Sequence, residues 1–265
     1  MSRRTGFQLF GQAIRAAMYP APRDQWQHPE SVLGRLEGAL PPPGGLHPVF
    51  RGRDLFNGPI YAMLRLRLRP RLMLDCRPGW YFDSMNTCER LELEGRYRNT
   101  PPPRPLWRDG AGRTAGIGIS AVVAWREGGT WMALAGRVQP KSMPERAGQI
   151  HVAPSGMFAP PFSVTENVRR ELLEETGLAL EPGALQLTGV AVNLLNLRPE
   201  ICTLLITDAR PATVAGEEFQ GPLMAIPVPM NAAGPPARAP QEAFTVPGAA
   251  ALRLAARLLR TRGRA

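Results

Sequence analysis

Residues Gly156 to Leu178 read GMFAPPFSVTENVRRELLEETGL. Ser163 fits a helix N-cap, and Glu166 three residues on completes a capping box. Gly177 suits the left-handed position that ends a helix. Along such a helix, Glu174 and Glu175 lie about 60° and 40° to either side of Glu171. Three carboxylates therefore share one face, beside an i,i+4 apolar pair of Val168 and Leu172. Like charges so placed repel by roughly 0.2–0.5 kcal/mol per pair unless something neutralises them. A hard divalent cation held by oxygen ligands would do so. The competing reading is a solvated acidic face balanced by Arg169 and Arg170.

Spacing favours the first reading. The segment resembles the signature of the Nudix hydrolases, G-x5-E-x7-R-E-U-x-E-E-x-G-U with U a bulky aliphatic. Five fixed residues, Arg170, Glu171, Glu174, Glu175 and Gly177, and two aliphatic positions are matched at a chance rate of roughly 10⁻⁷ per window, and Gly156 falls at the opening glycine. One position departs: Phe162 stands where the motif has its first glutamate. In the family that glutamate supports the arginine steering the catalytic glutamate, and Glu166, four residues before Arg170, is the candidate replacement.

The resemblance implies an α/β fold, a Nudix-type α/β/α sandwich with a mixed sheet over residues 113–265. Residues 1–112 are expected to form an N-terminal extension of unknown role, with antiparallel strands packed on that core. It implies cleavage of the diphosphate bond of a nucleoside diphosphate linked to another moiety, with Mg²⁺ or Mn²⁺ as cofactor. By motif position Glu171, Glu174 and Glu175 hold metal, the backbone carbonyl of Ser155 is a further ligand, and Arg170 holds Glu171. A later-loop acid is expected from Glu217 or Glu218, with Glu200 as competitor. Arg137 and Arg198 are candidate phosphate contacts, and Trp80, Trp125 and Trp131 candidate stacking surfaces for a base.

The 265 residues carry a net charge of +10 with Lys141 as the sole lysine. Such a basic surface attracts phosphorylated ligands. No aromatic RNA-binding motif or basic tract accompanies it, so no specific nucleic-acid partner is expected. No apolar run approaches the ~20 residues of a membrane span. Three cysteines without metal-ligand spacing and three scattered histidines point to a reducing cytoplasm and away from a zinc site. A homodimer is the commonest expectation for a soluble oligomer. The alternative function, from a different class, is a catalytically weak nucleotide sensor or regulator.

Periodicity fills in the rest. Phe7, Phe10, Ile14 and Met18 follow a helical stripe, and Glu30 to Leu40 suggests a short helix. Pro59 to Leu68 alternates as a half-buried strand, with a second over Arg71 to Asp75. Residues 79–99 read as loop, with Leu91 and Leu93 on a short strand, and Asn99 to Pro105 as a linker. Strands follow at Gly116 to Trp125, Thr130 to Arg137, Gln149 to Ala153, Leu185 to Asn196, Ile201 to Asp208 and Leu223 to Val228. A helix over Ala249 to Arg260 comes last.

Overall fold

Phe10 and Gly11 both take positive φ, 46° and 84°, a two-residue turn that replaces the helix expected at the start. Such turns match the twist of the strands they join, here β1 (Phe7–Leu9) and β2 (Gln12–Ile14). β3 (Ala16–Pro20) then pairs with an edge of the main sheet. The spacing of Phe7, Phe10, Ile14 and Met18 is helical, but an open sheet edge offers backbone partners that a lone amphipathic segment lacks. The structure, a computed structural model, describes residues 6–53, 55–141, 144–181, 183–213, 218–230 and 243–262.

β4 (Leu33–Leu36) stands where a short helix is expected. It lies parallel to β6 (Met73–Trp80), which pairs antiparallel with β5 (Pro59–Arg67). Next comes a second correction: the expected loop and short strand are helical, as α1 (Tyr81–Ser84), a π turn at Met85–Glu89, and α2 (Arg90–Leu93). Met85, Cys88 and Glu89 are buried at i, i+3 and i+4, so the stretch does have a helical inner face. A charged residue occupies that face and hides the period. β7 (Ala115–Gly116) closes this small sheet against β5.

The main sheet is built from β8 (Gly118–Glu127), β9 (Thr130–Arg137), β10 (Ile150–Val152), β11 (Ser155–Met157), β12 (Gln186–Asn193), β13 (Pro199–Ile206) and β14 (Met224–Pro227), together with β3. Its order is β10-β9-β8-β13-β12-β3, with β11 beside β8 and β14 beside β9. The β8–β13 pair is parallel and the other pairs antiparallel, so the sheet is mixed. Alternation along β8 sorts its two faces. Ile117, Ile119, Ala121 and Val123 share a core with Val164, Val168 and Leu172 of α3 (Val164–Thr176). Val122 and Ala124 share another with Leu252, Ala255, Ala256 and Leu259 of α4 (Val246–Arg262). A mixed sheet between helices is the fold class that the sequence leads one to expect. Among the described residues no helix is long and apolar enough to cross a membrane.

The small sheet joins the large one through backbone bonds, Tyr61 N–H to Phe158 O at 2.8 Å and Ile117 N–H to Tyr61 O at 2.9 Å. Glu30 makes a second junction. Its carboxylate accepts from the N–H groups of Val164 (2.8 Å) and Thr165 (2.7 Å), two orphan donors in the first turn of α3. An anion at a helix N-terminus is also favoured by the helix dipole. Glu30→Ala is expected to lower stability by about 1 kcal/mol, measured as a shift of the urea midpoint at unchanged slope. An unchanged midpoint would mean that the internal cap of α3 is sufficient without Glu30.

Candidate functional site

α3 has both of its ends fixed by local chemistry. The Ser163 side chain accepts from Glu166 N–H at 3.2 Å, and Glu166 accepts from Ser163 N–H at 2.8 Å. Gly177 ends the helix at φ 71°. Between them the helix turns Glu171 and Glu175 inward, 7% and 2% exposed, and leaves the Glu174 side chain 60% exposed. The helix borders a cavity of about 830 Å³, which Ser155, Gly156, Phe162, Arg170, Glu171 and Glu174 help to line.

Each acid has its own setting. Glu175 accepts from Ser155 N–H at 3.0 Å through Oε2, and its carboxyl is hydrogen-bonded to that of Glu218. Burial, then the Glu218 and Glu171 carboxyls, push Glu175 well above the usual carboxylate range. Glu171 accepts from Arg170 at 2.7 Å. Burial raises it to about 7 in spite of that arginine, with Glu218 and Glu174 adding to the rise. Gly156 is needed for this packing, because a Cβ there would sit 2.5 Å from the Glu171 carboxyl carbon. Glu218 therefore joins the acidic group, whereas Glu217 lies outside the described residues. Among the described residues, no three His, Cys, Asp or Glu side chains are placed so as to hold a metal ion as they stand.

Glu166 is engaged in the capping box, so its expected role as partner of Arg170 is not what the structure presents. Arg170 instead contacts Glu171, approaches Glu174 to 3.9 Å and lies over the Phe162 ring, 4.9 Å from its centroid.

Glu200 occupies a different part of the cavity. In the β11–β8 ladder Gly156 pairs with Ile119 and Met157 with Gly118, so adjacent rungs face opposite ways. Glu171 lies over Gly156, while the Glu200 carboxylate fills the space beside Gly118, 2.0 Å from where a Cβ would stand. Ser120 donates to Glu200 at 2.5 Å, and His151 Nε2 lies 3.3 Å from the same hydroxyl. Burial raises Glu200 to about 7 and lowers His151 to about 3, so the imidazole is neutral.

Arg198 lines the cavity, yet it is ion-paired with Glu89 and donates to Gly116 O at 3.3 Å. Arg146 pairs at 2.6 Å with both Glu89 and Glu92, and Asn196 donates to Glu89 (3.2 Å) and Glu92 (2.9 Å). Burial would raise Glu89, but Arg146 and Arg198 hold it down at about 2. No sequence signal marks this network, since nothing local to Glu89 shows that it faces arginines 57 and 109 residues away. Arg137 ends β9 and is not among the residues lining the cavity. Nor are the three tryptophans: Trp125 is fully buried, Trp131 lies under Arg126, and Trp80 donates to Pro41 O at 2.6 Å.

No protein-family model matches the chain, and no curated protein matches it. Solved structures show likeness in fold. The NUDIX domain of Shewanella oneidensis NrtR, complexed with ADP ribose, is 14% identical at a TM-score of 0.43, over 63% of this chain and 98% of that one. A MutT NUDIX hydrolase from Burkholderia pseudomallei is 22% identical at a TM-score of 0.39, over 52% and 96%. A MutT/nudix family protein from Enterococcus faecalis is 15% identical at 0.38, over 51% of this chain and 50% of that one, so the match spans about half its length. At these scores the likenesses assign no activity to this chain.

Proposed function

We propose that this protein is a Nudix-type hydrolase that splits the diphosphate bond of a nucleoside diphosphate carrying another group, using Mg²⁺ or Mn²⁺. The observation that carries this reading is that Glu171, Glu174 and Glu218 line one cavity, with the Glu175 carboxyl buried beside Glu218 and Glu171. Hard oxygen donors of this kind fit a hard divalent cation. Glu171, Glu174 and Glu175, with the backbone of Ser155, are the residues that would hold it. When bound, the cation supplies charge neutralisation and lowers the pKa of a bound water. Arg170 keeps Glu171 oriented through a charge-assisted bond. Glu171 and Glu175 are the candidate acceptors of the proton from the attacking water. A phosphate- and nucleotide-release screen across nucleoside diphosphate derivatives, with and without Mg²⁺, tests the reading.

One observation favours a second reading, a nucleotide sensor with little turnover: among the described residues the acids as placed form no three-ligand group. Saturable nucleotide binding with no product release in the presence of Mg²⁺ would select it.

The cation has its own test. Mg²⁺ or Mn²⁺ is expected to raise Tm, because binding to the native state relieves the crowded charge. The variant with Glu171, Glu174 and Glu175 all changed to Gln should lose that response. pH supplies the sign. The folded pKa of Glu171, about 7, lies above its ordinary 4.5. Its contribution to stability is therefore full below about 4.5 and is lost as pH rises through about 7. Without divalent cation, Tm should fall over that window in wild type and stay flatter in the triple variant. Equal responses of the two proteins to Mg²⁺ would place the metal elsewhere.

A further inference from the structure

We propose that the Phe162 ring positions Arg170, and through it Glu171, by presenting its π face to the guanidinium. The catalytic half of this proposal rests on the hydrolase reading above. Three observations converge on it. The guanidinium carbon of Arg170 lies 4.9 Å from the ring centroid, within the range of a cation–π contact. Arg170 Nε is buried and has no hydrogen-bond partner, its nearby carboxylate oxygen on Glu174 being 3.9 Å away. A buried guanidinium N–H left bare is costly, and the electron-rich face of a ring is a weak acceptor for it. Finally, the other acid within reach along the helix, Glu166, is held by both bonds of the capping box.

The arrangement divides the guanidinium between two partners. One terminal nitrogen donates to Glu171 Oε1 at 2.7 Å. The guanidinium carbon lies over the Phe162 ring, so a swing toward solvent would give up that contact. Phe162 itself immediately precedes the N-cap Ser163, and the capping box fixes the backbone that carries it. The box thus withdraws Glu166 from Arg170 and holds the ring in its place. An aliphatic side chain could fill the same volume but has no quadrupole with which to attract the cation. Because the ring faces the cavity and is only partly buried, a change there removes the contact without opening the core.

The test combines turnover with a spectroscopic signature that needs no metal. Phe162→Leu removes the π face and keeps an apolar side chain, Phe162→Trp strengthens it, and ring-fluorinated phenylalanines at 162 weaken it stepwise. On the best diphosphate substrate, kcat is expected to fall about tenfold in Phe162→Leu. It should decline in order of fluorination and recover in Phe162→Trp, with KM moving less than about threefold. In cation-free wild-type protein labelled with ¹⁵N-arginine, the Arg170 Nε–H proton should show an upfield ring-current shift that Phe162→Leu abolishes. Wild-type kcat in Phe162→Leu, a flat fluorination series, or an unshifted Arg170 signal in wild type would each overturn the proposal. A wild-type protein inert toward every diphosphate would sink the hydrolase reading instead. The Arg170 resonance would then decide alone whether the ring holds the guanidinium.

Discussion

Glu175→Gln is expected to lower turnover by roughly 10²–10⁴-fold, a loss of ~3–5 kcal/mol of transition-state stabilisation. The residue is 2% exposed, one of its oxygens accepts from Ser155 N–H, and its carboxyl is hydrogen-bonded to Glu218. Glutamine keeps the volume and an acceptor for Ser155, so the fold should survive. It removes the charge that would hold a cation and the basic oxygen that would take a proton from water. Ground-state contacts elsewhere in the cavity are untouched, so nucleotide binding should change far less than turnover. Turnover and binding measured side by side on the best ligand of the screen provide the check. A variant with turnover within about threefold of wild type would remove Glu175 from the chemistry.

The largest effect on stability is expected at Glu89. Its carboxylate is 2% exposed and is shared by Arg146, Arg198 and Asn196. Glu89→Ala would leave two buried guanidinium groups with Glu92 as the remaining acid, and removing one partner of such a group typically costs about 3–5 kcal/mol. Much of that cost comes from the stranded arginines. Adding Arg198→Leu to Glu89→Ala should therefore recover part of the loss. Urea unfolding of the single and double variants measures both terms. A single-variant loss below about 1 kcal/mol, or a double variant worse than the sum, would show that the network is not carrying the charge balance described. Because Glu89 is held at about 2, against an ordinary 4.5, its contribution is present above about 4.5 and is lost as pH falls toward 2. Acid unfolding should accordingly shift to higher pH in the variant.

The segment from Ser163 to Gly177 could be read from sequence because its instructions are local. A capping box, an αL glycine and an i,i+4 apolar pair act over one to four residues, and the helix forms where they place it. The alternation of β8 is equally local. Misreadings fell where a local period met a distant partner. Of the stripe Phe7, Phe10, Ile14 and Met18, Met18 lies in β3 at the edge that β12 offers, while Phe7 and Ile14 pair with each other across the turn at Phe10. The region around Met85 to Leu93 became helical with a buried Glu89 on its inner face.

The same distinction runs through the site. Sequence by itself determined that three glutamates share a helix face, that Arg170 sits beside the first of them, and that Phe162 stands where a carboxylate is expected, because these are matters of helical spacing. Only the tertiary structure decided which other groups meet that face. It brought Glu218 to Glu175, set Glu200 on the opposite side of the β8–β11 ladder, committed Arg198 to Glu89, and laid Arg170 on the Phe162 ring. The physical reason is that a side chain's spacing along a helix follows from the backbone repeat. Its partners across a cavity depend on strand register and on packing between segments that are up to about a hundred residues apart.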